Sequence, residues 1–227
     1  MIPWIETRHD FPPVSSALTE PNGLLCAGAD LAPETIIAAY SRGIFPWFSD
    51  GQPILWWSPD PRMVLLPDEF KVSKSLAKTV SRGAFEIRFD TAFQQVIAAC
   101  AEPRRLDGGT WIVPEMRAAY IQLHTLGVAH SVESWRGGNL VGGLYGLALG
   151  RLFFGESMFA RETDASKVAL VALVEKLKYD GFALIDCQQE TRHLALFGAR
   201  PIARADFVQW LKELIDLKLS RSAWRSI

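Results

Sequence analysis

The chain has little of several features that would each define a class of protein. Its longest apolar stretch, 140–149, is interrupted by glycines and is too short to span a bilayer. Its three cysteines lie far apart, which is typical of a reducing compartment and argues against a disulfide framework or a zinc site. The four histidines lack metal-ligand spacing, and residues 1–13 lack the apolar core of a signal peptide. The sequence therefore predicts a cytoplasmic protein with no metal and no membrane segment.

An excess of charge of one sign is also missing. The chain has 24 Lys and Arg against 25 Asp and Glu, a net charge of −1, so a nucleic-acid partner would have to bind a local basic patch. What is present is 49% hydrophobic residues and eight tryptophans, a residue often used at ligand surfaces although most are core. At 227 residues the chain has room for one large or two small domains.

The alternation of apolar runs and turn signals predicts an α+β fold. Three strand-like runs, 129–135, 140–148 and 151–156, are separated by glycines as in an antiparallel meander. The turn-like Ser58-Pro59-Asp60-Pro61 predicts a boundary between domains 1–62 and 63–227. The other predicted strands are 63–66, 85–89 and 183–187, and the predicted helices are 72–80, 91–100, 114–126, 164–178, 205–217, one near His193, and one capped by Asp30 that ends at Gly43.

Two carboxylates lie inside apolar, strand-like runs. Glu156 follows Phe153-Phe154-Gly155, and Asp186 follows Leu184-Ile185 and precedes Gln188 by two residues. A strand that is apolar on both faces is buried, and a buried carboxylate is costly unless it is paired or used. Since a helix separates the two runs, both acids could meet at one edge of a sheet, as in a general-base site. The alternative is that both carboxylates point into solvent at strand ends.

A row of cations marks the helix predicted at 72–80. Lys71, Lys74, Lys78 and Arg82 fall within about 80° of one another on a helical wheel, with Val72, Leu76 and Val80 on the opposite, buried side. We call these four cations the basic stripe. A solvated basic face is common, and a track for phosphate groups is the functional alternative.

Several blocks of the chain, in order from about Glu20 to about Phe207, resemble the leucyl/phenylalanyl-tRNA–protein transferase family. The blocks are Pro21-Asn22-Gly23-Leu24-Leu25, Arg42-Gly43-Ile44-Phe45-Pro46-Trp47-Phe48, Trp56-Trp57-Ser58-Pro59-Asp60-Pro61-Arg62, Gly155-Glu156-Ser157-Met158-Phe159 and Asp186-Cys187-Gln188.

This resemblance implies a small N-terminal α/β domain followed by a GNAT-like acyltransferase domain with a mostly antiparallel sheet. It implies transfer of Leu, Phe and Met from aminoacyl-tRNA to the N-terminal amine of proteins that begin with Arg or Lys, which marks them for N-end-rule degradation. The aminoacyl ester is already activated, so no cofactor is expected, and the protein is expected to act as a monomer.

The resemblance also implies roles for individual residues. Asp186 is the candidate base, acting directly or through Gln188, while Glu156 holds the amine or a basic side chain of the acceptor. The ribose hydroxyl of the tRNA is the alternative base. The basic stripe is expected to bind tRNA, and the aminoacyl pocket is expected to consist of Trp47, Trp111, Tyr120, Leu144, Phe153, Met158, Leu170 and Ile185.

Two other functions compete with aminoacyl transfer. A CoA-dependent N-acetyltransferase needs a glycine-rich pyrophosphate loop, whereas residues 161–166 have no glycine and two acids. A tRNA-binding protein without catalysis would leave Glu156, Asp186 and Gln188 without a role, and acids beside a phosphate track weaken binding.

Overall fold

The computed structural model describes residues 2–102, 111–215 and 224, which form two β-sheets and seven α-helices. The first sheet lies within residues 4–57, in the strand order β1-β2-β4-β3. Strands β1 and β2 are parallel, whereas the other neighbours are antiparallel. Its elements are β1 (Trp4–Ile5), β2 (Leu24–Gly28), helix α1 (Pro33–Tyr40), β3 (Phe45–Pro46) and β4 (Leu55–Trp57).

The second sheet has seven strands in the order β11-β5-β10-β9-β8-β7-β6. Only β9 and β10 among these neighbours are parallel, and the predicted antiparallel meander is confirmed as β7, β8 and β9. The strands are β5 (Arg62–Leu65), β6 (Glu86–Phe89), β7 (Ala129–Arg136), β8 (Asn139–Leu149), β9 (Leu152–Ala160), β10 (Leu184–Gln188) and β11 (Arg200–Ile202).

Helices cover both faces of the second sheet, which explains why β8 and the first half of β9 are apolar on both faces. Successive side chains of a strand point to opposite faces. Phe153 accordingly joins the core cluster that contains Leu170 of the long helix α5, whereas Phe154 joins the cluster of α1, α3 and α4. The remaining helices are α2 (Lys74–Ser81), α3 (Phe93–Ala101), α4 (Pro114–Thr125), α5 (Ala165–Asp180), α6 (Arg192–Ala195) and α7 (Arg204–Leu214).

Trp56 and Trp57 are both buried in the core, as is expected of most tryptophans. Their indole N–H groups donate to the carbonyl oxygens of Gly28 and Trp47 over 2.9 and 2.7 Å. These two bonds tie β4 to β2 and to the segment after β3, so the indoles also fix the path of the chain up to Trp47.

Two details of the predicted helices are wrong. The N-cap of α1 is Ala32, because Asp30 accepts the Ala32 N–H through Oδ1 and so forms a turn ahead of the helix. Val72 and Val80 were expected on a buried face of α2, but more than a third of each is exposed. The physical reason is that α2 begins only at Lys74, capped by Ser73, and is too short to bury more than Leu76.

Other predicted boundaries differ by a few residues. Strand β9 runs four residues past the predicted end at Glu156, since a bulge lets it bend and keep pairing with β8. The helix predicted at 205–217 begins at Arg204 and ends at Leu214, and residues 216 and 217 fall outside the described part of the chain. The domain boundary at residue 62 stays a prediction, and Arg62 itself is the first residue of the second sheet.

Candidate active site

Strands β9 and β10 place two carboxylates side by side in the second sheet. The two strands pair through three residues each, and the last pair is Asp186 with Phe154. Glu156 therefore lies two residues beyond the last paired position of β9, and Gln188 lies two residues beyond that of β10. The predicted convergence of the two acid-containing runs is present in the structure.

A β-bulge lies at each of these positions. In the pairing of β8 with β9, Glu156 is the extra residue between Gly155 and Ser157. In the pairing of β10 with β5, the register shifts between Asp186 and Gln188, and Gln188 adopts a positive φ of 62°. Bulges redirect side chains. Here they bring the amide of Gln188 within reach of Glu156, to which Nε2 donates over 2.9 Å.

Asp186 is fully buried and paired with an arginine. Arg62 donates from Nε to Oδ1 over 2.8 Å and from Nη2 to Oδ2 over 2.6 Å, a two-pronged ion pair in which both side chains are 0% exposed. Oδ1 also accepts the backbone N–H of Gln188 over 2.8 Å. Such a bidentate pair is among the strongest and most directional contacts that a carboxylate forms.

The Arg62 guanidinium is also in contact with a backbone carbonyl and two aromatic rings. Its remaining nitrogen, Nη1, donates to the carbonyl of Gly43 over 3.2 Å, and its flat faces lie 4.8 and 4.7 Å from the rings of Phe45 and Phe207. Arg62 thereby links three of the sequence blocks, those that contain Gly43, Arg62 and Asp186. This contact fixes the end of β10 relative to the N-terminal sheet.

Glu156 has different partners, all of them neutral. The hydroxyl of Tyr40 donates to Oε1 over 2.7 Å, that of Tyr120 donates to Oε2 over 3.1 Å, and the two hydroxyls lie 2.6 Å apart. Both tyrosine rings are completely buried, one on α1 and the other on α4. Glu156 therefore closes a ring of three oxygen-bearing side chains behind the strands.

Burial is the main influence on Glu156. Burial raises the pKa of this carboxyl from 4.5 to about 8. The hydrogen bonds from Tyr40 and Tyr120 oppose this rise and lower the pKa. The charge of Asp186 raises the pKa and that of Arg62 lowers it. Burial and the neighbouring Glu156 charge likewise raise the pKa of both tyrosines well above their usual range. Glu156 thus titrates near neutral pH, where general acid–base groups work best.

A cavity of about 640 Å³ opens in front of Glu156 and Gln188. Five apolar side chains on its wall form what we call the apolar pocket: Leu144, Phe153, Met158, Leu170 and Ile185. Trp47 and Trp111 also line the cavity, and Trp47 is 38% exposed. We call the group of Glu156, Gln188, Asp186, Arg62, Tyr40 and Tyr120 the polar corner.

Not every predicted site residue reaches the cavity. Tyr120 was expected on the pocket wall, but its ring is buried behind Glu156 and it meets the site through its hydroxyl. Asp186 is likewise not among the lining residues. The basic stripe lies apart from the cavity on and beside α2, where all four cations are exposed and form no ion pair with a described residue.

Sequence reasoning missed two members of the polar corner, Arg62 and Tyr40. Arg62 ends one of the sequence blocks and precedes an apolar strand, so a search for the partner of buried Asp186 would have found it. Tyr40 fits the apolar face of its helix, and no sequence signal links its hydroxyl to Glu156, 116 residues away. Within residues 2–102, 111–215 and 224, no group of three or more His, Cys, Asp or Glu is arranged to hold a metal ion.

Comparison with known proteins accounts for nearly the whole chain. Residues 64–212 match the model of the leucyl/phenylalanyl-tRNA protein transferase family, and residues 29–60 match that of its N-terminal domain. A leucyl/phenylalanyl-tRNA–protein transferase of Aromatoleum aromaticum is 63% identical over 91% of this chain and 87% of its own length. That of Stutzerimonas stutzeri is 58% identical over the full length of both chains.

These relatives place the chain among the aminoacyltransferases, with aminoacyl-tRNA as donor and a protein as acceptor. Within that class, it belongs to the leucyl/phenylalanyl-tRNA–protein transferase family. No α-helix among the described residues has the length and apolar character needed to cross a membrane.

Proposed function

We propose that the protein transfers Leu, Phe or Met from aminoacyl-tRNA to the N-terminal amine of proteins that begin with Arg or Lys, and so marks them for N-end-rule degradation. The observation that carries this proposal is an apolar pocket that ends at a carboxylate and an amide, Glu156 and Gln188. The pocket receives the amino-acid side chain, and the polar corner receives the amine.

The lining of the apolar pocket favours apolar side chains that are not branched at Cβ. Leu, Phe and Met match walls of Phe153, Met158 and Leu170, whereas a charged or hydroxyl-bearing side chain would lose its hydration without gaining a partner. Branching at Cβ widens a side chain near its backbone, so Ile and Val fit the pocket mouth poorly.

The proposed preference for a basic acceptor residue is supported by an acid on the cavity wall. Glu156 and Glu102 both line the cavity, but Glu102 is already paired with Arg161, so Glu156 is the acid that would meet the acceptor. A cation that approaches Glu156 favours its charged form and so strengthens its own attraction. The N-terminal Arg or Lys of an acceptor would supply that cation beside the amine that reacts.

The second sheet supports a GNAT-like arrangement for this reaction. The pair β9 and β10, which is parallel, opens onto the cavity, and α5 follows β9 directly. The start of α5, however, has Asp164 at the N-cap and Glu162 just before it. Two acids at that position would repel a pyrophosphate, so aminoacyl transfer is favoured over CoA-dependent acetylation.

The basic stripe is the proposed binding surface for tRNA. Its four cations are exposed on one short helix and its flanks. Changing Lys71, Lys74, Lys78 and Arg82 together to Ala should weaken tRNA binding and flatten its salt dependence by about 0.7–0.9 in log–log slope for each phosphate that is no longer neutralised. An equal change of the exposed Arg8, Arg117, Lys178 and Lys212 is the control. An unaltered slope in the stripe variant would show that these cations are only solvated.

The decisive experiment measures transfer of radiolabelled Leu from Leu-tRNA to two otherwise identical proteins, one beginning with Arg and one with Ala. We expect labelling of the first protein only. We also propose that the enzyme acts in the cytoplasm as a monomer. Binding of tRNA without labelling of either protein would favour a tRNA-binding protein without catalysis. Labelling from acetyl-CoA would favour the acetyltransferase.

A further inference from the structure

We propose that Glu156 takes the proton of the attacking amine, and that Asp186 is a positioning residue that fixes Gln188 and Arg62. This inference rests on the proposed aminoacyl transfer and assigns the proton step within it. It separates two carboxylates that the sequence presents as equivalent candidates.

Asp186 is paired with a cation and does not line the cavity, whereas Glu156 lines the cavity and has only neutral hydrogen-bond partners. Oδ1 accepts from Arg62 Nε and from the Gln188 N–H, while Oδ2 accepts from Arg62 Nη2 at 2.6 Å. The side chain is completely buried and does not line the cavity. A carboxylate held in this way orients its neighbours: it fixes the backbone of Gln188, whose amide then reaches Glu156.

Glu156 can hold a proton without any movement of heavy atoms. When it is ionised, Tyr40 donates to Oε1 and Tyr120 to Oε2. When it is protonated, rotation of the hydroxyls lets the new O–H donate to Tyr120, Tyr120 donate to Tyr40 across their 2.6 Å contact, and Tyr40 donate to Oε1. The protonated ring therefore has one hydrogen bond for each of its three contacts, whereas in the ionised ring both hydroxyl protons point to the carboxylate and the Tyr40–Tyr120 contact has none.

The pKa of Glu156, raised to about 8 by burial, supports this role. An N-terminal amine has a pKa of about 7.7–8.0, so transfer of a proton between the two is close to balanced. The titratable and charged groups that face Glu156 come from five elements, namely Tyr40 of α1, Arg62 of β5, Tyr120 of α4, Tyr145 of β8 and Asp186 of β10.

The proton and bond changes balance in the following order. The acceptor's ammonium group loses one proton to solvent, and the neutral amine attacks the ester carbonyl. As the new C–N bond forms, the nitrogen becomes cationic and passes a proton to the Glu156 carboxylate. The C–O bond to the ribose then breaks, and the proton moves from Glu156 to the departing ribose oxygen, so that one proton is released in each transfer.

The test compares pH profiles of transfer at saturating Leu-tRNA and saturating acceptor peptide. Glu156→Gln keeps the shape of the side chain, and we expect its rate to fall by roughly 10²–10⁴-fold. Saturation with acceptor separates this role from simple holding of a cation, which would raise KM and leave kcat unchanged.

Tyr40→Phe and Tyr120→Phe test the role of Glu156 through the position of the pH profile. A purely structural role for Glu156 would leave that position unchanged. Each change removes a donor that stabilises the Glu156 carboxylate, so the rising limb of the profile should move about 0.5–1 pH unit to higher pH. The amine is the same in every experiment, so any shift belongs to the enzyme. Tyr179→Phe, at an 81% exposed position, is the matched control and should leave the profile in place.

Clear results would overturn the inference. A Glu156→Gln rate within threefold of the unmodified protein, or Tyr→Phe profiles that superimpose on it, would exclude Glu156 as the proton acceptor. Asp186→Asn, where it folds, should transfer Leu at a reduced rate but keep the rising limb of the pH profile. Loss of that rising limb would reassign the base to Asp186. Absence of any Leu transfer by the unmodified protein would instead defeat the proposed function.

Discussion

The polar corner and the apolar pocket are built on the same two strands, β9 and β10, but they depend on their residues in different ways. In the polar corner each side chain has named partners, such as the two-pronged contact of Arg62 with Asp186. In the apolar pocket, Leu144, Met158 and Leu170 contribute surface and shape to the cavity, and Leu144 and Leu170 also belong to the core. The effect of a substitution should therefore be governed by missing partners in the corner and by volume in the pocket.

The difference also separates stability from activity. Loss of one member of a buried ion pair leaves the other charge without compensation, which is costly for folding. Removing one methyl group from the cavity wall changes what fits there and costs less stability, about 0.5–1.5 kcal/mol. Three predictions test this contrast, beginning with the largest expected effect.

Asp186→Ala should destabilise the fold as well as abolish transfer. The sequence alone would lead one to expect folding to stay nearly intact, but the Arg62 charge would be left completely buried and unpaired. We expect the free energy of unfolding to fall by about 3–5 kcal/mol, measured by urea denaturation. Asp50→Ala, in an exposed loop, is the control and should change stability by less than about 0.5 kcal/mol.

A paired replacement sharpens the same prediction. Arg62→Met with Asp186→Leu removes both charges, so it should recover much of the stability that either single change loses. It should not recover transfer, because the Gln188 N–H loses its acceptor. If Asp186→Ala alone unfolds at the same urea concentration as the unmodified protein, the ion pair does not stabilise the corner.

Glu156 should make stability depend on pH in the opposite sense to an ordinary carboxylate. Its pKa is raised to about 8 in the fold from an ordinary 4.5, so between these values the folded state binds a proton that the unfolded state has lost. The contribution of Glu156 is therefore fully present below about pH 4.5 and is lost as the pH rises through about 8.

Glu156→Gln isolates this contribution because Gln does not titrate. The difference in free energy of unfolding between the unmodified protein and the variant should change by a few kcal/mol in favour of the variant as the pH rises from about 4.5 to about 8, at about 1.4 kcal/mol per pKa unit. Urea denaturation of both proteins across that range measures it. A difference that stays constant with pH would show that Glu156 titrates at its ordinary value.

Much of the fold could be predicted from the sequence because apolar periodicity marks the meander β7–β9 and helix α5 over long segments. The N-terminal sheet could not be, since β1 and β3 have two residues each and depend on partners distant in sequence. In the site, acids within apolar runs pointed to Glu156 and Asp186. Their different partners could not be predicted, because the bulge at Glu156 and its contact with Tyr40 arise only from tertiary packing.

The smallest predicted effect concerns the choice of amino acid in the apolar pocket. Since one poorly placed methyl group is worth only about 1–3 kcal/mol, the unmodified protein should prefer Leu-tRNA over Ile-tRNA by roughly 10- to 200-fold in kcat/KM. Met158→Ala or Leu170→Ala enlarges the pocket and should reduce this ratio before transfer is lost. Leu126→Ala, at a 61% exposed position away from the cavity wall, should leave it unchanged. Equal transfer from Ile-tRNA and Leu-tRNA by the unmodified protein would mean that pocket shape does not select the side chain. The statement that volume governs substitutions in the apolar pocket would then be wrong.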